Sequence, residues 1–190
     1  SHEETCVKYG FPKNKKFILF VGKFFERKNP KLLLQSFIDA KLNNDWVLLM
    51  VGTGKFENEM NSLVQTENIN DVKLLGFKNQ KELIGLFANS EILVAPSNIG
   101  DSHCNVAAEA IQFGCAIIAS NMIGLHPEFI YEKVGLIFDI EKKDQLIDHL
   151  RLLTTDTNLL NKCKKNAAEY GKKKTPQYSS NQIVEILRII

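Results

Sequence analysis

No run in this sequence is long and apolar enough to cross a bilayer. Stretches such as Glu91-Ile-Leu-Val-Ala-Pro96 fall far short of the roughly 20 residues a spanning helix needs. No charge sign dominates: Lys plus Arg total 24 against 22 Asp plus Glu, a net charge of +2, which argues against nucleic acid as a partner. The four cysteines (Cys6, Cys104, Cys115, Cys163) show no CxxC spacing. They read as reduced thiols of a cytosolic protein, not as a disulfide framework or zinc site. The histidines are equally scattered, so a metal cluster has no local support. The GxGxxG fingerprint of a dinucleotide-binding dehydrogenase is missing, and no internal repeat or low-complexity stretch is present. No leader peptide is visible, although a chain opening Ser1-His2 makes that absence uninformative.

What is present is a chain of 190 residues, 44% hydrophobic, enough for one domain with a sizeable core and short for two. Strand-length apolar runs alternate with amphipathic helical segments. The runs are Phe17–Val21, Trp46–Val51, Val72–Leu75, Glu91–Ala95, Ala116–Ala119 and Gly135–Phe138. Being apolar on both faces, they suit the interior of a covered parallel sheet. Helical spacing marks Pro30 to Leu42, Phe56 to Gln65, Gln80 to Ala88, Asn105 to Phe113 and Lys143 to Leu153, with Gly114 as a helix stop. The expected fold is α/β: a doubly wound, mostly parallel six-stranded sheet with helices on both faces. Residues 1–15 read as the tail of a helix or linker, 16–171 as the domain, and 172–190 as a closing helix, with a break expected at Gly171-Lys-Lys-Lys174.

In such a sheet, ligands bind beyond the carboxyl ends of the strands, near helix N-termini. The loop after the first strand, Gly22-Lys-Phe-Phe-Glu-Arg-Lys28, places Lys23, Arg27 and Lys28 before a helix. They can neutralise a diphosphate, or can equally be solvated charges in a surface turn. Gly52-Thr-Gly54 would admit close backbone approach, and a tight turn explains it better. The loop after the fourth strand runs from Pro96 through Asp101-Ser-His-Cys104 into a helix beginning Asn105-Val106-Ala-Ala-Glu109. Unpaired N–H groups from Cys104 to Val106 would cradle phosphate, and Glu109 could accept hydrogen bonds from a ribose diol. The plainer alternative makes Asp101 and Ser102 loop or capping residues and Glu109 a surface acid. Cys104 lacks the partners of a nucleophile. His126, ahead of Pro127-Glu128, fits a capping or surface role.

Taken together, these pieces resemble the C-terminal domain of the GT-B glycosyltransferases called glycosyl transferases group 1, the retaining family four. The resemblance spans roughly residues 8–153. It rests on Gly22-Lys23 with Lys28 five residues beyond, Gly52-Thr-Gly54, Leu75-Gly76-Phe77, Pro96-Ser97, the acid-x7-Glu segment from Asp101 to Glu109-Ala110, Gly114, Gly124 and Pro127-Glu128. Two departures stand out: the first acid is Asp101 where Glu is usual, and Ser102-His103-Cys104 replaces a Gly-rich stretch.

The resemblance implies the donor-binding half of an enzyme that moves a hexose-type sugar from a nucleotide-diphosphate sugar to a glycan or lipid-linked acceptor. Lys23 and Lys28 would hold the diphosphate, with backbone at Cys104, Asn105 and Val106. Gly22 would border the donor, Glu109 the ribose, Asp101 the donor sugar's hydroxyls, and backbone near Phe77 the base edge. No metal or cofactor is expected, in keeping with the lack of an Asp-x-Asp motif. The acceptor would sit on an N-terminal domain outside this chain, so the chain alone should be inactive. The expected location is the cytoplasm, with peripheral membrane contact of the full protein left open. Two other readings stand: a non-catalytic nucleotide-sugar-binding module, or a related GT-B sugar-nucleotide epimerase. The Lys172-Lys173-Lys174 cluster reads as a solvated turn, not an RNA-binding face.

Overall fold

The computed structural model describes residues 1–101 and 104–173. Six parallel strands form one sheet in the order β3-β2-β1-β4-β5-β6: β1 Lys16–Val21, β2 Trp46–Val51, β3 Val72–Leu74, β4 Ile92–Ala95, β5 Ala116–Ser120 and β6 Gly135–Phe138. The expected mostly parallel sheet is therefore wholly parallel. Every residue of β2 and of β5 is buried, which is why these runs read as unbroken apolar stretches rather than alternating ones.

The helices are α1 His2–Lys8, α2 Pro30–Ala40, α3 Glu57–Thr66, α4 Gln80–Ala88, α5 Asn105–Gln112, α6 His126–Tyr131, α7 Asp144–Thr155 and α8 Thr157–Lys173. They cover both faces. One core gathers alternate residues of β1 and β2 (Phe17, Leu19, Val47, Leu49) beneath Leu86 of α4, Ala107 and Ala110 of α5, and Phe129 of α6. The other gathers the opposite set (Ile18, Phe20, Leu48, Met50) beneath Leu33 and Phe37 of α2, Met60 of α3 and Leu146 of α7. Local chemistry sets the helix ends. Pro30 opens α2 with its φ already helical. Asn79 and Glu82 form a reciprocal capping box ahead of α4, with backbone-to-side-chain bonds of 3.0 and 3.1 Å. Gly114, at φ 75°, ends α5 where the sequence places the stop.

Residues 2–8 form α1, whose Cys6 is fully buried in the domain core. Two features differ from the sequence reading. Residues 126–131 form α6, because Pro127 falls in the first turn, where its missing N–H costs nothing. Helix α8 continues through Gly171 to Lys173, so Gly171 is no breaker. A Cβ there would stand 2.9 Å from Gln112 Cα, and glycine is what lets α8 lie against the end of α5. The expected closing helix at about 180–190 lies outside the described residues.

Candidate functional site

The strand order reverses between β1 and β4, which pair at Ile18–Ile92 and Leu19–Leu93. Beyond this point the loops after the two strands lead away to different helices, leaving the crevice where doubly wound sheets bind ligands. In the first loop, Phe24 is fully buried while the adjacent Phe25 is 42% exposed. A short 3-10 turn, Glu26–Lys28, then ends on Asn29 in the left-handed region. Two glycines let this loop sit close. A Cβ on Gly52 would stand 1.9 Å from the Gly22 carbonyl oxygen, so the loops after β1 and β2 pack backbone to backbone. At Gly22, a Cβ would stand 3.4 Å from Lys28 Cγ, so the Lys28 stem crosses where a side chain would otherwise lie. Gly52 and Gly54 thus serve packing, as the turn reading of Gly52-Thr-Gly54 holds.

Lys28 reaches across the crevice to the loop after β4 and donates to Asp101 Oδ2. Ser97 Oγ donates to the same oxygen at 3.2 Å. Arg27 stands 3.6 Å from Oδ1 and donates to the Gly100 carbonyl at 3.3 Å. The Asp101 backbone is held from the other side: its N–H donates to Met122 O at 3.1 Å, and its carbonyl accepts from Gly124 N at 3.0 Å. Asp101 is only 7% exposed. Burial pushes its carboxyl up, but the hydrogen bond and charge of Lys28, aided by Ser97, outweigh that and hold it below the usual aspartate range.

Helix α5 starts beside this cluster. Its N-cap residue, Cys104, lies in the left-handed region at φ 37°, and its own side chain makes no capping hydrogen bond. The leading N–H groups, at Asn105 and Val106, have no preceding helical turn to bond to and carry the positive end of the helix dipole. One turn on, Glu109 is half-buried with no ion pair among the described residues. Lys23 on the facing loop is exposed and likewise without one. The Cys104 thiol is no nucleophile: burial, with the Asp101 charge contributing, pushes it up to about 11. Burial likewise raises Cys115, to about 12, and all four cysteines are free.

One open cleft of about 950 Å³ brings these groups together. Gly22, Lys23, Lys28, Asp101, Cys104, Asn105, Val106 and Glu109 all line it, so eight of the nine residues chosen from sequence share one cleft. The ninth does not: Phe77, 76% exposed, lies in the segment between β3 and α4, off the cleft lining. Ser102 and His103 lie outside the described residues. His126 Nδ1 stands 2.7 Å from Ile123 O, a local bond within the turn that leads into α6, and does not line the cleft. The sequence reading did not place Phe25, Gln80 and Leu83, which also line it. The Phe24-Phe25 pair held a usable signal, since only one of two adjacent aromatics on an extended segment can face the core. Gln80 and Leu83 held none, because only the packing of α4 brings them in. Among the described residues no three His, Cys, Asp or Glu side chains are grouped as metal ligands, and no helix is long and apolar enough to cross a membrane.

A wholly parallel sheet in this order, with a cleft at its switch point lined by Lys23, Lys28, the start of α5 and Glu109, defines a doubly wound α/β domain. The model of the family Glycosyl transferases group 1 matches residues 1–170, and the chain belongs to that family. It is 28% identical over 165 residues to N-acetylgalactosamine-N,N'-diacetylbacillosaminyl-diphospho-undecaprenol 4-alpha-N-acetylgalactosaminyltransferase of Campylobacter jejuni, covering 84% of this chain and 44% of the relative. To spore coat protein SA of Bacillus subtilis it is 30% identical over 153 residues, 75% of this chain and 40% of that protein. The chain thus spans less than half the length of these relatives. Its fold matches the C-terminal domain of a group 1 glycosyl transferase, LpcC, from Francisella tularensis with a TM-score of 0.80 at 22% identity, covering 92% of each chain. Anabaena HepE, crystallised with UDP and glucose, gives a TM-score of 0.81 at 17% identity over 99% of this chain and 52% of that one. Its fold is that of the GT-B glycosyltransferases, and the family is one of sugar transferases.

Proposed function

We propose that this chain is the donor-binding half of a retaining glycosyltransferase that takes a hexose-type sugar from a nucleotide-diphosphate sugar. The observation that carries the reading is the convergence of Lys23, Lys28, the start of α5 and Glu109 on one cleft at the switch point. The diphosphate lies between the two lysines and the Asn105 and Val106 N–H groups, and Glu109 accepts from the ribose hydroxyls. Negative charge grows on the leaving phosphate oxygen as the glycosidic bond breaks. Cations and N–H groups already in place lower that barrier without reorganising. They do the work a bound metal would otherwise do, so the reaction needs none, and chelator should leave turnover unchanged.

The relatives' shared half-length match supports an acceptor site on an N-terminal half, which also closes the cleft to water. The Campylobacter relative acts on a diphospho-undecaprenol-linked sugar, which supports a glycan or lipid-linked acceptor and an enzyme working at a membrane surface. The chain alone then binds nucleotide but transfers nothing.

Calorimetric titration of UDP, GDP and ADP sugars into the chain tests the site. One base series should bind, with Lys28→Ala and Glu109→Ala each weakening it about tenfold or more. Parent-like binding by both variants removes the site. Binding without turnover by the two-domain protein would favour a non-catalytic module.

A further inference from the structure

Asp101 is the group whose surroundings least suit the role that its place in the acid-x7-Glu segment implies. A carboxylate that receives sugar hydroxyls needs free lone pairs facing the ligand. Here Oδ2 already takes the Lys28 ammonium and the Ser97 hydroxyl, and Oδ1 faces the Arg27 guanidinium. The side chain is 9% exposed, against 27% for Lys28 and 56% for Arg27. Its backbone is bonded on both sides to the loop after β5, and Ser97 is itself fixed by Ser120 Oγ donating to its carbonyl at 2.5 Å. Asp101 is thus held on several sides, nearly closed to solvent and bonded to Lys28.

Lys28, by contrast, is on a short turn with a flexible stem, and its position matters most if it meets phosphate. An ammonium has three donors. Asp101 takes one, leaving two for a ligand in the cleft.

We propose that Asp101 is a positioning residue for Lys28: an anchored carboxylate across the switch point that holds the ammonium beside the start of α5, instead of a ligand of the donor sugar. Asp suits this better than Glu, because a carboxylate one methylene shorter stays against Ser97 and draws the lysine inward. Arg27 shares the same anchor through Oδ1 and ties the first loop to Gly100. The inference rests on the diphosphate site proposed above.

A double-mutant cycle on this chain separates the possibilities, with UDP, GDP and ADP as probes and the tightest carried forward. Asp101→Asn should weaken the nucleoside diphosphate about tenfold in the parent and less than about twofold in a Lys28→Ala background, because the carboxylate acts only through that lysine. Asp101→Glu should recover to within about threefold of the parent. Should Asp101→Asn fail to fold, Ser97→Ala loosens the same oxygen. It should cost about two- to threefold with Lys28 present and nothing without it.

An equal loss in both backgrounds overturns the inference, as does unchanged or tighter binding in the Asp101→Asn parent. A loss confined to sugar-bearing probes, with the bare diphosphate unaffected, makes Asp101 a sugar ligand and also overturns it. If Lys28→Ala and Glu109→Ala bind like the parent, the diphosphate site itself fails. If those two weaken binding and only the Asp101 arm misbehaves, the site stands and the positioning role falls.

Discussion

The two acids of the Asp101–Glu109 segment live in opposite circumstances. Asp101 is buried, with Oδ2 hydrogen-bonded to Lys28 and Ser97, Oδ1 ion-paired with Arg27 and its backbone bonded on both sides. Glu109 lines the same cleft half-buried and without an ion pair among the described residues. The facing loop repeats the pattern, with Lys28 tied to Asp101 and Lys23 exposed and without an ion pair among the described residues. Each wall therefore supplies both anchored and open charge, Arg27 joining Lys28 on the first loop. The anchored pair holds the two loops together across the switch point, while the open pair has its bonding capacity left for something that arrives. Charge alone does not separate these roles; the number of partners already made does.

The anchored cation should give the largest functional loss. In the two-domain protein, Lys28→Ala should lower kcat by about 10²–10³, the scale of one lost preorganised donor at a developing oxyanion. Steady-state turnover at saturating donor measures it. A loss appearing only in KM would show that Lys28 binds ground state and transition state alike, and would move it to the open class.

The open acid should come next. Glu109→Ala should weaken nucleoside diphosphate binding about tenfold, with the melting temperature unchanged because that carboxylate makes no ion pair among the described residues. The 2',3'-dideoxy nucleotide sharpens the assignment: it should bind the parent and Glu109→Ala equally well. If the variant still discriminates ribose from dideoxyribose, the diol is held elsewhere.

How much of this is legible in the residues follows the same division. Strands buried on both faces announce themselves as unbroken apolar runs, so all six appear in the sequence at or near their true ends. Helix α8 does not, because its buried stripe is Leu160, Cys163, Ala167, Tyr170 and Gly171 among lysines and asparagines, and small residues leave little hydrophobic period. Its purpose is close approach to α5, which only the fold reveals. At the site, motif spacing is enough to bring Lys23, Lys28, Asp101 and Glu109 to one cleft. It cannot say which of them are already bonded, since the Lys28–Asp101 and Ser97–Asp101 contacts depend on where two distant loops meet. Nor does it put Phe77 on the cleft lining, since the Leu-Gly-Phe spacing does not say where the segment between β3 and α4 lies.

The anchored acid should matter more to stability than the open one. Asp101→Asn should cost about 1–3 kcal/mol, the penalty of leaving a largely buried charged donor without its acceptor charge. That corresponds to a melting shift of a few degrees for a chain of this size. The pH dependence carries the sign. Burial raises the Asp101 carboxyl, Lys28 and Ser97 lower it further, and the net folded value lies below the unfolded value of about 3.9. Its contribution is therefore complete above that pH and is lost as pH falls through the folded value. Thermal melts from pH 7 to pH 3 should show the gap between parent and Asp101→Asn constant near neutrality and narrowing below about pH 4. A gap that stays constant to pH 3 would mean that packing, not the ion pair, holds Asp101 in place.

The open cation should give the smallest effect and the most salt-sensitive one. Lys23 is exposed and makes no ion pair among the described residues, so a phosphate it meets is met in water. Exposed pairs contribute about 0.2–1 kcal/mol, which makes Lys23→Ala worth only a few-fold in nucleoside diphosphate affinity at low salt. Screening should erase that difference at about 1 M salt, where the Debye length falls to roughly 3 Å. The loss from Lys28→Ala, at a partly enclosed position, should persist under the same conditions. Titrations of both variants across salt thus separate rim from floor. If the Lys23→Ala deficit survives high salt, Lys23 closes onto the ligand when it binds and belongs with the anchored charges, and the division drawn from the unliganded cleft would need redrawing on that wall.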